Sequence, residues 1–284
     1  MTYIPANRFH SPSAPLRAAL SSLSGYDDHT RAAEAIKAPL AKSRTELQEA
    51  QATAEQLADM LAIVLLSGTT EAAEEIENSS SNAAQAADAE FAAAAKIKLL
   101  EAAEQRIGTE LDQIISTGRD KILRHLNTAL QDAYRKSRAL ELRGIHDAED
   151  AISADKADEW AEMIKLRTTV FQIRDAQALI VGRLGSHEAV QQYKSFGLIR
   201  NYAELWPSWL EARSGAQWGR ENIRAPWPTT AAGDIDPVEF HAWILANADA
   251  EPWVPTDAEL LAAVKEAIAE ARAAAHAAHV GQDA

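Results

Sequence analysis

Apolar residues recur along the first two thirds of the chain at alternating steps of three and four, the spacing of a packed helix face. One such seam runs from residue 40 to residue 64, with Ser43 as its single polar member. Two more begin at Leu111 and at Met163, and the third has one polar member, Gln177. The three seams predict a mainly α fold, with long helices in an antiparallel bundle or coiled-coil hairpin. The residues at which we expect helices to pack, within one chain or between chains in an oligomer, are Leu40, Leu47, Leu57, Leu61, Val64, Leu111, Ile115, Ile122 and Leu126.

Prolines suggest where the first elements begin. Residues 1–29 contain three prolines, and we expect an extended N-terminal arm with one short helix behind Pro15. This arm either lies over its own domain or docks on a neighbouring subunit. Pro39 is predicted to begin or kink the first long helix, because proline cannot donate the backbone hydrogen bond of a helix interior.

The composition changes after residue 195. Six of the seven Trp and six of the ten Pro lie between residues 206 and 255. The chain therefore divides into the arm (1–29), a long-helix bundle or coiled coil (30–194) and a smaller, compact Trp/Pro-rich helical region with a C-terminal helix (195–284). Two helix starts in the last region, at Asp236 and Thr256, have the form of a capping box.

The charge of this alanine-rich chain excludes some classes of function. It has 284 residues, 28 Lys and Arg, 42 Asp and Glu, 60 Ala and no Cys, so its formal charge is 28 − 42 = −14. The absence of Cys excludes disulfides, thiolate metal sites and a cysteine nucleophile. An acidic chain opposes general binding to nucleic-acid backbones. The longest apolar run, residues 60–66, is far shorter than the roughly 20 residues of a membrane span, and we expect a soluble protein made in the cytoplasm.

Metal and catalytic signals are weak. Asp234, Asp236, Glu239 and His241 are a candidate metal set within eight residues. Their spacing does not fit a calcium loop, and two of them already serve as helix caps. No nucleophile elbow, phosphate loop or dinucleotide fingerprint occurs. We therefore expect no cofactor and no enzymatic activity.

Two other stretches are candidates for binding partners. The Trp-rich region interleaves rings with cations, and exposed rings of this kind would bind a protein, whereas buried ones would form a small core. The candidates there are Trp206, Trp209, Trp218, Arg220, Arg224 and Trp227. Residues 119–143 hold seven Lys and Arg against three acids. We interpret this basic stretch as a charge-paired or solvated helix face rather than a nucleic-acid site.

These patterns lead to three hypotheses of function. The first is a non-catalytic structural or assembly protein that oligomerises through its long helices and contacts other proteins. Its acidic, Cys-free, Ala-rich profile resembles that of scaffolding, connector and appendage proteins of tailed bacteriophages, a resemblance of composition that no motif carries, so a virion is a second expected location. The second is an adaptor or regulator that binds one protein partner through residues 200–255. The third is an unrecognised metal-dependent enzyme.

Overall fold

A computed structural model describes residues 11–67, 72–142, 144–145, 147–210, 225–228 and 235–280. These residues form helices and no strand, which confirms the predicted mainly α class. The helices are α1 (Ala14–Ser21), α2 (Tyr26–Ser67), α3 (Ala72–Thr117), α4 (Arg119–Ala139), α5 (Ala148–Ser153), α6 (Ala157–Leu184), α7 (His187–Phe196), α8 (Tyr202–Leu205), α9 (Pro237–Ala246) and α10 (Asp257–Val280).

The chain divides into two compact units. The first contains residues 24–115 and the second contains residues 11–23 and 116–280 of the described chain. This division differs from the predicted boundaries near residues 30 and 195. The reason is that α4 and α6, which we assigned to the long-helix bundle, pack with α1 and with the elements of the Trp-rich region.

The first unit is an antiparallel hairpin of α2 and α3. Side-chain contacts between the two helices join residues whose numbers add to between 139 and 145, so the two helices run in opposite directions. They are the ion pairs Arg44–Glu101 (2.9 Å) and Lys96–Glu46 (3.5 Å) and the hydrogen bonds His29–Glu110 (2.9 Å) and Gln51–Glu90 (3.1 Å). This confirms the predicted helical hairpin. We call the end of the hairpin at Ser67 and Ala72 the closed end.

The seam predicted on α2 is the buried face of that helix. Its most deeply buried members are Leu40, Ser43, Ala50 and Leu57. The facing seam of α3 contains Ser79, Ala86 and Ala93, then Leu111 and Ile115. The part before Leu111 was not predicted, because alanine and serine at seam positions look the same as the many exposed alanines around them.

Of the two effects predicted for Pro39, the one that places it at the start of the first long helix is wrong. The helix begins at Tyr26 and contains Pro39 in its interior. The proline ring lies on the exposed face, so it interrupts one backbone hydrogen bond without entering the seam. The predicted seam from Leu111 to Leu140 is likewise divided at Gly118 between α3 and α4.

The second unit has α4 and α6 packed along each other, with α1 against both. The predicted short helix behind Pro15 is α1, and it buries Leu16 and Leu20 within its own chain. The arm residues 1–10 lie outside the described residues. Core positions of α4 and α6 include Ile122, Leu123, Leu126, Leu130, Tyr134, Met163, Leu166, Val170, Ile173, Ile180 and Val181.

The C-terminal helix α10 packs against α7. Its first turn has a complete capping box, as predicted. The backbone N–H of Thr256 donates to Glu259 Oε2 at 2.8 Å, and the backbone N–H of Glu259 donates to Thr256 Oγ1 at 3.3 Å. Two of the donors that a helix start leaves unpaired are thereby satisfied.

Candidate functional site

The described members of the metal candidate set point in different directions. The Asp236 carboxylate caps α9 by accepting from the backbone N–H groups of Val238 (2.8 Å) and Glu239 (3.0 Å). The Glu239 side chain is exposed, whereas His241 is buried. Asp234 lies outside the described residues. In the part of the chain that the structure describes, no three His, Asp or Glu side chains meet in a way that could hold a metal ion.

Aromatic rings of the Trp-rich region form a core. Trp209 packs edge-to-face on Phe196 with ring centroids 5.7 Å apart, and Trp227 does so on Trp206 at 5.4 Å. Trp209 and Trp227 are buried, and Trp206 is half-buried. This is the buried interpretation of the rings rather than the exposed one. The other partner-binding candidates, Trp218, Arg220 and Arg224, lie outside the described residues.

A half-buried arginine joins the elements around this core. Arg174 Nη1 donates to Gln177 Oε1 at 2.8 Å and to the Trp253 carbonyl at 2.7 Å, and its Nη2 donates to the Leu198 carbonyl at 3.0 Å. Gln177 in turn donates to the Gly197 carbonyl at 3.1 Å. Burial lowers the pKa of Arg174, and among the described residues no carboxylate pairs with it. The guanidinium therefore satisfies loop carbonyls in the interior, a structural role.

His241 is a buried polar side chain. It lies between Tyr134, with ring centroids 5.3 Å apart, and Phe171, at 6.2 Å. Within the described structure, neither ring nitrogen has a hydrogen-bond partner. Burial, and to a smaller extent the charge of Arg167, lowers the pKa of His241 to about 4. It is therefore neutral at physiological pH and sits inside the helical core, away from solvent.

Most cations of the basic stretch on α4 are engaged within their own unit, which supports the charge-paired interpretation. They pair with acids or donate to backbone carbonyls. The contacts are Arg119 with Asp257, Lys121 with the Ser22 carbonyl, Arg135 and Lys136 with Asp132, and Arg138 with the Ile244 and Ala250 carbonyls. The acidic segment 71–90 belongs to the other unit, and the acids that pair with this stretch are Asp132 and Asp257.

The hairpin has an uneven distribution of charge. From Thr45 to Ala95 the sequence contains no Lys, Arg or His. Because the hairpin pairs residue 45 with a residue near 96, this cation-free stretch is the closed-end half of both helices. It holds ten acids, so it carries −10 of the net charge of −14, and the rest of the chain carries 28 − 32 = −4. The acids are Glu46, Glu49, Glu55, Asp59, Glu71, Glu74, Glu75, Glu77, Asp88 and Glu90.

Ion pairs are confined to the other half. The cations of all the hairpin ion pairs in the described residues lie outside 45–95, and the single acid of the closed-end half that they reach is Glu46. Glu90 accepts its hydrogen bond from the neutral Gln51. The other closed-end acids whose side chains the structure describes form no ion pair; they are Glu49, Glu55, Asp59, Glu77, Asp88 and Glu90.

Apolar side chains are exposed at the same end of α2. Met60 is 49% exposed, Ile63 and Leu65 are each 67% exposed, and Leu66 is 88% exposed. They belong to the apolar run 60–66, whose remaining large members, Leu61 and Val64, are half-buried seam positions. The hairpin buries one face of this run and leaves the others in water. The closed-end half, with its acids and its exposed apolar turns, is the candidate functional site.

The candidate oligomer-seam residues pack against other helices of the same chain. Leu40, Leu57, Leu111, Ile115, Ile122 and Leu126 are buried, and Leu47, Leu61 and Val64 are half-buried on the same faces. The chain's own helices fill these seams. Self-association stays a prediction, and it would have to use other surfaces.

Sequence reasoning missed the closed-end half although its signal is visible. The 51-residue gap between Arg44 and Lys96 can be read directly from the sequence. That the cation-free stretch forms one acidic surface became clear only from the structure, because the antiparallel packing of α2 and α3 places its two segments side by side. The role of Arg174 had no signal, because two of its acceptors are backbone carbonyls.

Among the described residues, no helix combines the length and apolarity needed to cross a bilayer. No protein-family model, curated protein or solved structure matches this chain.

Proposed function

We propose that this chain is a non-catalytic structural or assembly protein, and that the closed-end half of its hairpin contacts another protein. The observation that carries the proposal is the combination of exposed apolar side chains with a cation-free acidic surface. Contiguous exposed apolar side chains on a soluble protein are typical of interaction sites. The buried His241, the half-buried Arg174 and the dispersed metal candidates offer no competing site in the described residues.

The amino-acid composition is what suggests where such a protein would act. Incorporation into a bacteriophage particle stays a prediction that only the acidic, Ala-rich profile supports. The alternative of an adaptor acting through residues 200–255 receives less support, because Trp209 and Trp227 are core residues.

The proposal is tested by the size of the complex that the chain forms in its native cells. Extract containing the tagged chain is passed over a size-exclusion column and compared with a variant in which a short Gly-Asn loop replaces residues 54–87. The ends of this deletion, 53 and 88, add to 141, so the remaining helices keep their register. We expect the full chain in a larger complex and the trimmed chain at its own mass.

This experiment needs a control for folding, and one result would contradict the proposal. The purified trimmed chain must keep a cooperative thermal transition, which shows that its loss of complex is not loss of fold. A full chain that elutes from native extract near its own mass of 30.8 kDa would contradict the proposed function.

A further inference from the structure

The outward face of α2 changes from acidic to apolar toward the closed end. Glu55, Asp59, Ile63 and Leu66 follow one another at steps of four, four and three residues, so they lie along one helix face. All four are exposed. We call these four residues the closed-end strip. At 1.5 Å per residue, the strip is about 16 Å long from its acidic end at Glu55 to its apolar end at Leu66.

The apolar part of the strip is larger than an isolated exposed leucine, which would need no explanation. Met60 lies one turn from Ile63, and Leu65 lies on the other side of the seam; both are exposed. Apolar side chains therefore cover the end of α2 on several sides. A partner that covers them removes apolar surface from water, which is the main source of binding free energy at protein interfaces.

The charge of the strip specifies the partner's chemistry. Because the closed-end half has ten acids and no cation, electrostatic attraction favours a partner whose own surface is basic. We propose that the closed-end strip docks a basic amphipathic helix of another protein. The helix would place its apolar residues against Ile63 and Leu66 and its Lys or Arg beside Glu55 and Asp59. This inference rests on the proposed function and names the class of partner.

A second copy of this chain is a poor occupant. Two closed-end halves would bring like charges together, which is unfavourable. The chain's basic stretch on α4 cannot substitute, since most of its described cations already pair with acids or donate to carbonyls in their own unit. A lone helix lying along the strip also matches its linear spacing, as in helix-in-groove recognition.

The test uses the full chain and a synthetic Leu/Lys amphipathic peptide as the probe. The peptide has about 18 residues, because shorter helices are marginal in water. A peptide with Glu in place of every Lys is the charge control. Binding is measured by fluorescence anisotropy at roughly 0.05 M and 0.5 M salt, which shortens the Debye length about threefold. We expect the Leu/Lys peptide to bind, more weakly at high salt, and the Leu/Glu peptide not to bind.

Matched variants locate the site. Ile63→Gln with Leu66→Gln should weaken binding about tenfold or more, since each removes a large apolar contact. Glu55→Gln with Asp59→Asn should weaken it about threefold at low salt and hardly at high salt. Leu99→Gln is the control, because Leu99 is 73% exposed on the same hairpin but lies beside Lys96 and Lys98. It should leave affinity unchanged within about twofold.

Several outcomes would overturn the inference. They are no binding of the Leu/Lys peptide, equal binding of the Leu/Glu peptide, and equal weakening by Leu99→Gln. Light scattering that shows a dimer abolished by the Ile63 and Leu66 changes would assign the strip to a second copy. Association with neutral phosphatidylcholine vesicles that the same changes abolish would assign it to a membrane. If the native complex persists while the peptide and variant tests fail, the proposed function stands and only this inference fails. Assignment of the strip to a second copy or to a membrane would contradict both.

Discussion

Replacing His241 with leucine should stabilise the protein by an amount that grows as the pH falls. His241 is 3% exposed, and neither ring nitrogen has a partner among the described residues. An unsatisfied buried polar group costs about 1–3 kcal/mol. Leucine is of similar size and has no polar atom, so at pH 8 the His241→Leu variant should be more stable by about that amount.

The pH dependence follows from proton linkage. The pKa of His241 is about 4 in the folded protein, against the ordinary histidine pKa of 6.5, which applies to the unfolded chain. Between these values the unfolded chain binds more protons, so falling pH favours unfolding. The loss begins near pH 6.5 and is complete near pH 4. At 1.36 kcal/mol per pKa unit it totals about 3 kcal/mol, of which about 2 kcal/mol is reached by pH 5.

Urea denaturation of the wild type and of His241→Leu at pH 8, 6 and 5 measures this difference. Groups other than His241 titrate in both proteins, so they cancel when the two free energies of unfolding are subtracted. We expect the difference to widen by about 2 kcal/mol between pH 8 and pH 5. A difference that stays constant with pH would show that His241 is solvated or hydrogen-bonded, and would refute the buried geometry.

Three further predictions concern stability and use the same denaturation assay. Ala86→Leu should destabilise the hairpin by about 1–3 kcal/mol because it overpacks the α2–α3 seam, whereas Ala87→Leu, one residue along on the exposed face, should be nearly neutral; equal effects would contradict the assigned seam. Arg174→Met should cost about 3 kcal/mol, since three acceptors of part-buried hydrogen bonds, including Gln177, lose their donor; an unchanged midpoint would show that water replaces the guanidinium. Thr256→Ala should cost about 1 kcal/mol by removing the cap of α10, and no loss would mean that this helix start is not stabilised by its capping box.

The extent to which the sequence predicted the fold depended on side-chain size. The seams of α2 and α6 were predictable because leucine, isoleucine and valine recur at steps of three and four among polar residues. The seam of α3 was hidden because Ala86 and Ala93 are surrounded by exposed alanines. Pro39 misled the prediction of the helix start, since a proline on an exposed face is tolerated once the seam holds the helix together.

The candidate site was only partly predictable, for a different reason. The lack of cations between Arg44 and Lys96 is a property of the sequence alone. That both halves of this stretch face each other, and that Leu66 remains uncovered there, depends on how α2 pairs with α3. The role of Arg174 could not be predicted from the sequence at all. It donates to the backbone carbonyls of Leu198 and Trp253, and backbone acceptors leave no pattern in the side chains.

The most direct test of the account is site-specific photo-crosslinking in the cells that naturally make the chain. A photoreactive amino acid is placed at Leu66 in one version and at the exposed Leu99 in the other. We expect the Leu66 version to give one defined adduct with a different protein, and the Leu99 version to give none. A Leu66 adduct with a second copy of the chain, or adducts that form at Leu99 and not at Leu66, would contradict the claim that the closed end of the hairpin contacts a partner protein.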